Sequence, residues 1–150
     1  MTPFDAAREY HRRGWAIVPV PAGQKAAVMS GWPGFRAATG DLPDLFGHDE
    51  NIGVILGPAS GGLVDNDLDC PEALALADLY LPRTRGVFGR PSKPGSHRLF
   101  VAVGATYESF ADPITGKTLI ELRAEGRDGG AHLTLFPPSV ADGERREWDG

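Results

Sequence analysis

The run Leu63-Val-Asp-Asn-Asp-Leu-Asp69 sets three aspartates, Asp65, Asp67 and Asp69, at alternate positions hemmed by Leu63, Val64 and Leu68. On a strand, alternate side chains share a face, with successive members about 7 Å apart. Strands are depleted in aspartate, and a partly buried row of carboxylates repels itself, so such a row needs a counter-charge. A hard divalent cation, Mg²⁺ or Mn²⁺, is the economical answer: it takes one or two protein carboxylates and leaves coordination sites for substrate phosphates. The alternative from these residues alone is that Asp69 caps a helix beginning near Pro71 while Asp65 and Asp67 sit in a solvated turn.

Two further stretches carry chemistry. Arg90-Pro-Ser-Lys-Pro-Gly-Ser-His-Arg-Leu-Phe100 reads as a Gly/Pro/Ser loop feeding a strand from His97 to Val103. Backbone N–H groups, the Ser96 hydroxyl and the cations Lys93 and Arg98 are what a triphosphate needs there. His97 taken alone is more often a structural hydrogen-bonder than a catalytic group. In Thr118-Leu-Ile-Glu-Leu-Arg123, Glu121 lies mid-strand and points the same way as Arg123, so a surface ion pair with a neighbouring strand is the plain alternative. Placed beside Asp67 and Asp69, Glu121 would instead complete a two-cation site.

Positioning these groups takes a frame short in helix and rich in strand. Thr2 can N-cap a helix with Pro3 at its first position and Asp5 in its first turn, and Gly14 ends it. A strand, Trp15–Val20, follows, and its Pro19 suits a sheet edge or a strand end. Residues 21–40 read as a long loop, Asn51–Leu56 and Leu63–Asp69 as buried strands. Pro71 opens a helix through Leu81 with Leu74, Ala77 and Leu81 on one face, and Thr118–Arg123 and Ala131–Phe136 are later strands. With a single clear strand-helix-strand passage, from 63 to 103, the pattern suits an α+β sandwich better than a doubly wound sheet.

A length of 150 residues predicts one domain, 1–150, and a hydrophobic content of 41% lets it bury a core. One cysteine, Cys70, excludes an internal disulfide and any zinc site with two thiolates. No apolar run approaches the roughly 18 residues that cross a bilayer, so a soluble, cytoplasmic chain with no membrane partner is expected. The net charge of −5 argues against a simple nucleic-acid coat. The signs segregate, however: Leu79–Tyr107 holds no Asp or Glu but contains Arg83, Arg85, Arg90, Lys93 and Arg98, a locally basic strip.

In this order the pieces resemble the N-terminal domain of bifunctional primase-polymerases, a branch of the archaeo-eukaryotic primase superfamily common in plasmids, phages and other mobile elements. The resemblance runs nearly end to end. It takes in Tyr10-His-Arg-Arg-Gly-Trp-Ala-Ile-Val-Pro-Val-Pro21 with Lys25 and Trp32, then Asn51-Ile-Gly-Val-Ile-Leu-Gly-Pro58 and Asp67-Leu-Asp69. Gly95-Ser-His-Arg-Leu-Phe100, Ile120-Glu-Leu-Arg123, Pro137-Pro-Ser-Val140 and Trp148 complete it. It departs from the family at Asp65 and Asn66, where apolar residues are usual, and at Ala141, where a histidine is frequent.

The resemblance implies a core sheet like that of RNA-recognition motifs, packed with an N-terminal αβ unit. It implies a template-dependent nucleotidyl transferase, a DNA primase and polymerase, with Asp67, Asp69 and Glu121 holding two Mg²⁺ or Mn²⁺ ions and acting in catalysis with His97. Ser96 and His97, with Lys93, Arg98 and Arg123, would meet the phosphates of a nucleoside triphosphate, and Arg83, Arg85 and Arg90 would follow a DNA template or primer. A helicase or helical segment in a longer protein is a further implied partner. Two other classes use the same residues: a non-catalytic nucleotide- or nucleic-acid-binding module of this fold, and a metal-dependent phosphohydrolase or glycosyl transferase. The 150 residues alone are expected to bind nucleotide and metal but to hold template weakly, because one small strip covers few phosphates.

Overall fold

The computed structural model describes residues 1–150. Helix α1 (Pro3–Arg12) begins as its sequence dictates, with Thr2 and Asp5 in a reciprocal capping box. After it come β1 (Ala16–Val20), a long loop with two 3₁₀ turns, the single-turn α2 (Leu42–Leu45), β2 (Asn51–Ile55), β3 (Leu63–Leu68) and α3 (Pro71–Tyr80). The remainder is strand: β4 (Val87–Arg90), β5 (Lys93–Val101), β6 (Glu108–Ala111), β7 (Thr118–Arg123), β8 (Leu133–Phe136), β9 (Val140–Ala141), β10 (Glu144–Arg145) and β11 (Glu147–Trp148).

The molecule is mixed α/β, built on a three-stranded sheet β1-β2-β8, a six-stranded sheet β11-β4-β5-β3-β7-β6 and a small β9-β10 pair. All strand pairings within these sheets are antiparallel. Pro19 lies in β1, an edge strand, where a missing N–H is tolerated. Ile17, Ile52, Val54 and Phe136 of the smaller sheet pack with Leu63, Phe88 and Leu99 of the larger, and Ala6, Ala7 and Tyr10 of α1 join the same core. Each large apolar side chain so buried contributes roughly 1.5–3 kcal/mol. The core face of β3 carries its odd-numbered residues, so Leu63 in the core is followed on the same face by Asp65 and Asp67. Core and acidic row are consecutive stretches of one strand face.

Tyr10 anchors the aromatic end of that core, its ring 5.5 Å from Trp15, 5.6 Å from Phe136 and 6.2 Å from Trp148. Its hydroxyl donates to the Pro137 carbonyl at 2.6 Å and accepts from Trp148 Nε1 at 3.0 Å. Burial pushes the Tyr10 pKa from 10.0 up to about 12. The folded state therefore holds this proton more tightly than the unfolded one, and the stability it confers is complete below pH 10 and lost as pH climbs toward 12. The loss is on the order of 3 kcal/mol. Tyr10→Phe should flatten the fall in melting temperature across that window while lowering stability at pH 7 by about 1–2 kcal/mol. An equally steep fall in the variant would assign it to another group.

Two expectations change. The strand expected from His97 begins already at Lys93, so the loop expected before it is a hairpin: β4 and β5 are joined by Pro91-Ser92 alone, and a register shift between Phe88 and Arg90 absorbs Pro94 and Gly95. Glycine is required there, since Gly95 has φ 63° and a Cβ on Gly89 would sit 2.4 Å from the Lys93 carbonyl oxygen. Helix α3 buries only Ala77 of the expected face, with Leu74 and Leu81 half-buried and Leu76, Leu79 and Tyr80 exposed. No helix is long and apolar enough to cross a membrane.

Candidate active site

Strand register assembles the site. His97 on β5 and Glu121 on β7 both stand directly opposite Asp67 on β3, and Leu99 and Arg123 stand opposite Asp65. Residues directly opposite in an antiparallel pair share a face, so His97, Asp67 and Glu121 form one row across three strands. Asp69 follows on the same face just past the end of β3. Its carboxylate is not used as a helix cap, because Cys70 caps α3, with its Sγ 3.4 Å from the Ala73 N–H that donates to it. Asp67, Asp69 and Glu121 each offer an oxygen within 4.8 Å of the others. An all-carboxylate set at this spacing fits a hard divalent cation and would be a poor site for a soft one.

The chain also supplies counter-charges of its own, which the sequence reading left to a metal. Arg123 Nη2 lies 2.8 Å from Asp67 Oδ2 on the neighbouring strand and 3.1 Å from Glu121 Oε2 on its own, so the ion pair with a neighbouring strand forms, part-buried rather than at the surface. Lys93 Nζ lies 3.0 Å from Asp69 Oδ1, and His97 Nδ1 lies 3.8 Å from Asp67 Oδ1. Burial pushes the Asp67 carboxyl above its usual range, and the His97 and Arg123 charges do not cancel that effect. Burial also opposes charging His97, yet the Asp65 carboxylate beside it raises it on balance. At Glu121 burial is outweighed by the Tyr107 hydroxyl, which donates at 2.6 Å, and by Arg123, and its carboxyl is held low.

Lys25, Arg90, Lys93, Arg123 and Arg146 line one cleft with Asp67, Asp69 and His97. Other expected contacts are not brought there. Ser96 and Arg98 flank His97 on β5 and point to the opposite face, because neighbours on a strand cannot share one. Ser96 is fully buried with no partner for its hydroxyl, and Arg98 pairs with Asp78 of α3 at 2.6 Å. The basic strip divides as well: Arg90 borders the cleft, whereas Arg83 and Arg85 line a separate groove with Trp15 and Trp148. Sequence reasoning assigned no role to Lys25 or Arg146. Lys25 sits in an aperiodic loop, Arg146 in a run of two-residue strands, and only the folded chain brings them to the acids.

An acidic trio within reach of one cation, a histidine beside it and five basic side chains around it define a candidate centre for metal-assisted phosphate chemistry on an antiparallel sheet. Residues 7–150 match the family model described as bifunctional DNA primase/polymerase, N-terminal, and the chain belongs to that family, a primase- and polymerase-type group of nucleotidyl transferases. No curated protein matches the chain.

Proposed function

We propose that residues 1–150 form one primase-polymerase domain, a template-dependent nucleotidyl transferase that joins nucleoside triphosphates along a DNA template. The observation that carries this reading is the His97–Asp67–Glu121 row with Asp69 beside it and basic side chains around it. Asp67, Asp69 and Glu121 would hold Mg²⁺ or Mn²⁺, which would supply activation of a 3′-hydroxyl and charge stabilisation at the α-phosphate as pyrophosphate leaves. Lys25, Arg90, Lys93 and Arg146 would draw the triphosphate into the cleft, His97, charged beside Asp65, would donate from Nε2 to one of its phosphate oxygens, and Arg123 would turn from the acids toward it. The six-stranded sheet is read as the primase core related to RNA-recognition motifs, with α1 and β1 as the N-terminal αβ unit. A cytoplasmic setting and a helicase or helical segment in a longer protein belong to the same reading.

Extension of a primed template with Mg²⁺ or Mn²⁺ tests it. Template-directed incorporation is the expected result; nucleotide binding without incorporation would favour the non-catalytic module, and release of phosphate without a template a phosphohydrolase. His97→Ala should raise the nucleotide KM about tenfold or more and leave template affinity unchanged, since His97 lines the cleft and not the groove that holds Arg83 and Arg85. The divided basic strip gives a second test. Arg90→Glu should act on nucleotide use, whereas Arg85→Glu should weaken template binding and make its salt dependence shallower by about one unit of slope. Identical behaviour of the two variants would restore a continuous strip.

A further inference from the structure

We propose that Asp65 is a positioning residue, holding the His97 ring so that Nε2 faces the cleft; the role rests on reading that cleft as a nucleotide site. Asp65 is fully buried, and a carboxylate taken out of water is costly unless charge and hydrogen bonds compensate. Its surroundings show where the compensation comes from. Oδ2 accepts from His97 Nδ1 at 2.9 Å and from the Thr134 hydroxyl at 2.8 Å. The two donors belong to different sheets, His97 to β5 and Thr134 to β8, so Asp65 is clamped where the sheets meet.

A carboxylate can only accept, so Nδ1 is the nitrogen that donates. Nε2 then has no partner within the protein, while the residue borders the cleft. Phe88 holds the other degree of freedom: it is fully buried and stacks on the imidazole with centroids 4.6 Å apart and planes 14° from parallel. Ring plane and ring direction are thus both set before a ligand arrives, and a group held in this way loses little freedom on binding. Asp65 is not itself part of the acidic trio, whose members are Asp67, Asp69 and Glu121. Its position on the core side of Asp67 gives it the histidine to act on and no opening to a substrate.

The test combines a structural and a binding readout at one fixed pH. In ¹⁵N-labelled protein without ligand, the His97 Nδ1 proton should give a sharp, downfield signal that persists in Asp65→Asn, whose amide oxygen still accepts, and disappears in Asp65→Leu. Affinity for dATP with Mg²⁺ should fall about tenfold in Asp65→Leu and less in Asp65→Asn, the low end of the roughly 10- to 100-fold loss seen when the outer partner of a metal-ligating histidine is removed. Adding Asp65→Leu to His97→Ala should cause no further loss. An unchanged Nδ1 signal in Asp65→Leu, or losses that simply add in the double variant, would overturn the proposal. Should Asp65→Leu fail to fold, Thr134→Val and Asp65→Asn carry the same comparison, with a broadened signal and weaker binding expected in Thr134→Val and unaltered values in both overturning it. Wild-type protein that shows the expected ring signals yet neither binds nor incorporates nucleotide would reject the nucleotide reading and leave the positioning of His97 standing.

Discussion

Asp67→Asn should lower template-directed incorporation at least about 1,000-fold, a loss of about 4 kcal/mol of transition-state stabilisation, while the melting temperature in metal-free buffer holds or rises. The two halves of this result have one cause. Asp67 is only 6% exposed and is flanked by Asp65 and Asp69, and burial raises its pKa despite the nearby His97 and Arg123. A carboxyl whose folded pKa lies above its unfolded value stabilises the fold while protonated, below about pH 3.8, and that stability is lost as pH rises through the folded value. At neutral pH wild-type Asp67 is therefore a charge held against the preference of the fold, and the amide removes it. Arg123 keeps Glu121 as a partner at 3.1 Å in the variant, so no cation is stranded. Stability of wild type and variant should converge below about pH 4, where both side chains are neutral. Full incorporation by Asp67→Asn would remove Asp67 from the metal-binding and catalytic set. A steep fall in melting temperature would mean that its pairing with Arg123 outweighs the repulsion.

Much of this arrangement was legible in the sequence because strand alternation is a strong rule. It put Asp65, Asp67 and Asp69 on one face, and Glu121 with Arg123 on another strand, before any pairing was known. What alternation cannot supply is register between strands far apart in sequence: β3 and β7 are joined through α3 and three other strands, and only their pairing sets Glu121 opposite Asp67. The same rule separates Ser96 from His97, which only the family resemblance groups together, and a register shift lets β5 run through Pro94-Gly95. Asp65 departs from the apolar residue usual at its place, and the partner that accounts for it, Thr134, lies on a strand of the other sheet, which local sequence cannot show. Capping and edge signals act within a few residues, and so Thr2, Asp5 and Pro19 could be placed correctly from local sequence alone.

Arg146→Met should weaken nucleotide binding about 10- to 100-fold and raise the melting temperature by about 2–4 °C, the shift that roughly 1 kcal/mol produces in a domain of this size. Arg146 is 6% exposed, yet it has no carboxylate partner among the ion pairs of the chain. Its Nη1 reaches only the carbonyl oxygens of Ala141 and Glu144, at 3.3 and 3.4 Å. Burial, and then the like charge of Arg90, depress its pKa, the pattern of a cation kept where the fold gains little from it. Arg90 is relieved by Glu144 at 3.1 Å, and Lys25 is paired with Asp142, which leaves Arg146 as the under-compensated member of the basic rim. An anion entering the cleft would satisfy it, and the triphosphate of the proposed substrate is such an anion. Methionine fills similar space without charge, so it should relieve the unbound protein and deprive the bound one of a contact. If the melting temperature fell and affinity stayed, Arg146 would be a strut for the β9–β10 turn. If stability rose and affinity fell together, the strain at Arg146 would be the cost of a preformed phosphate site.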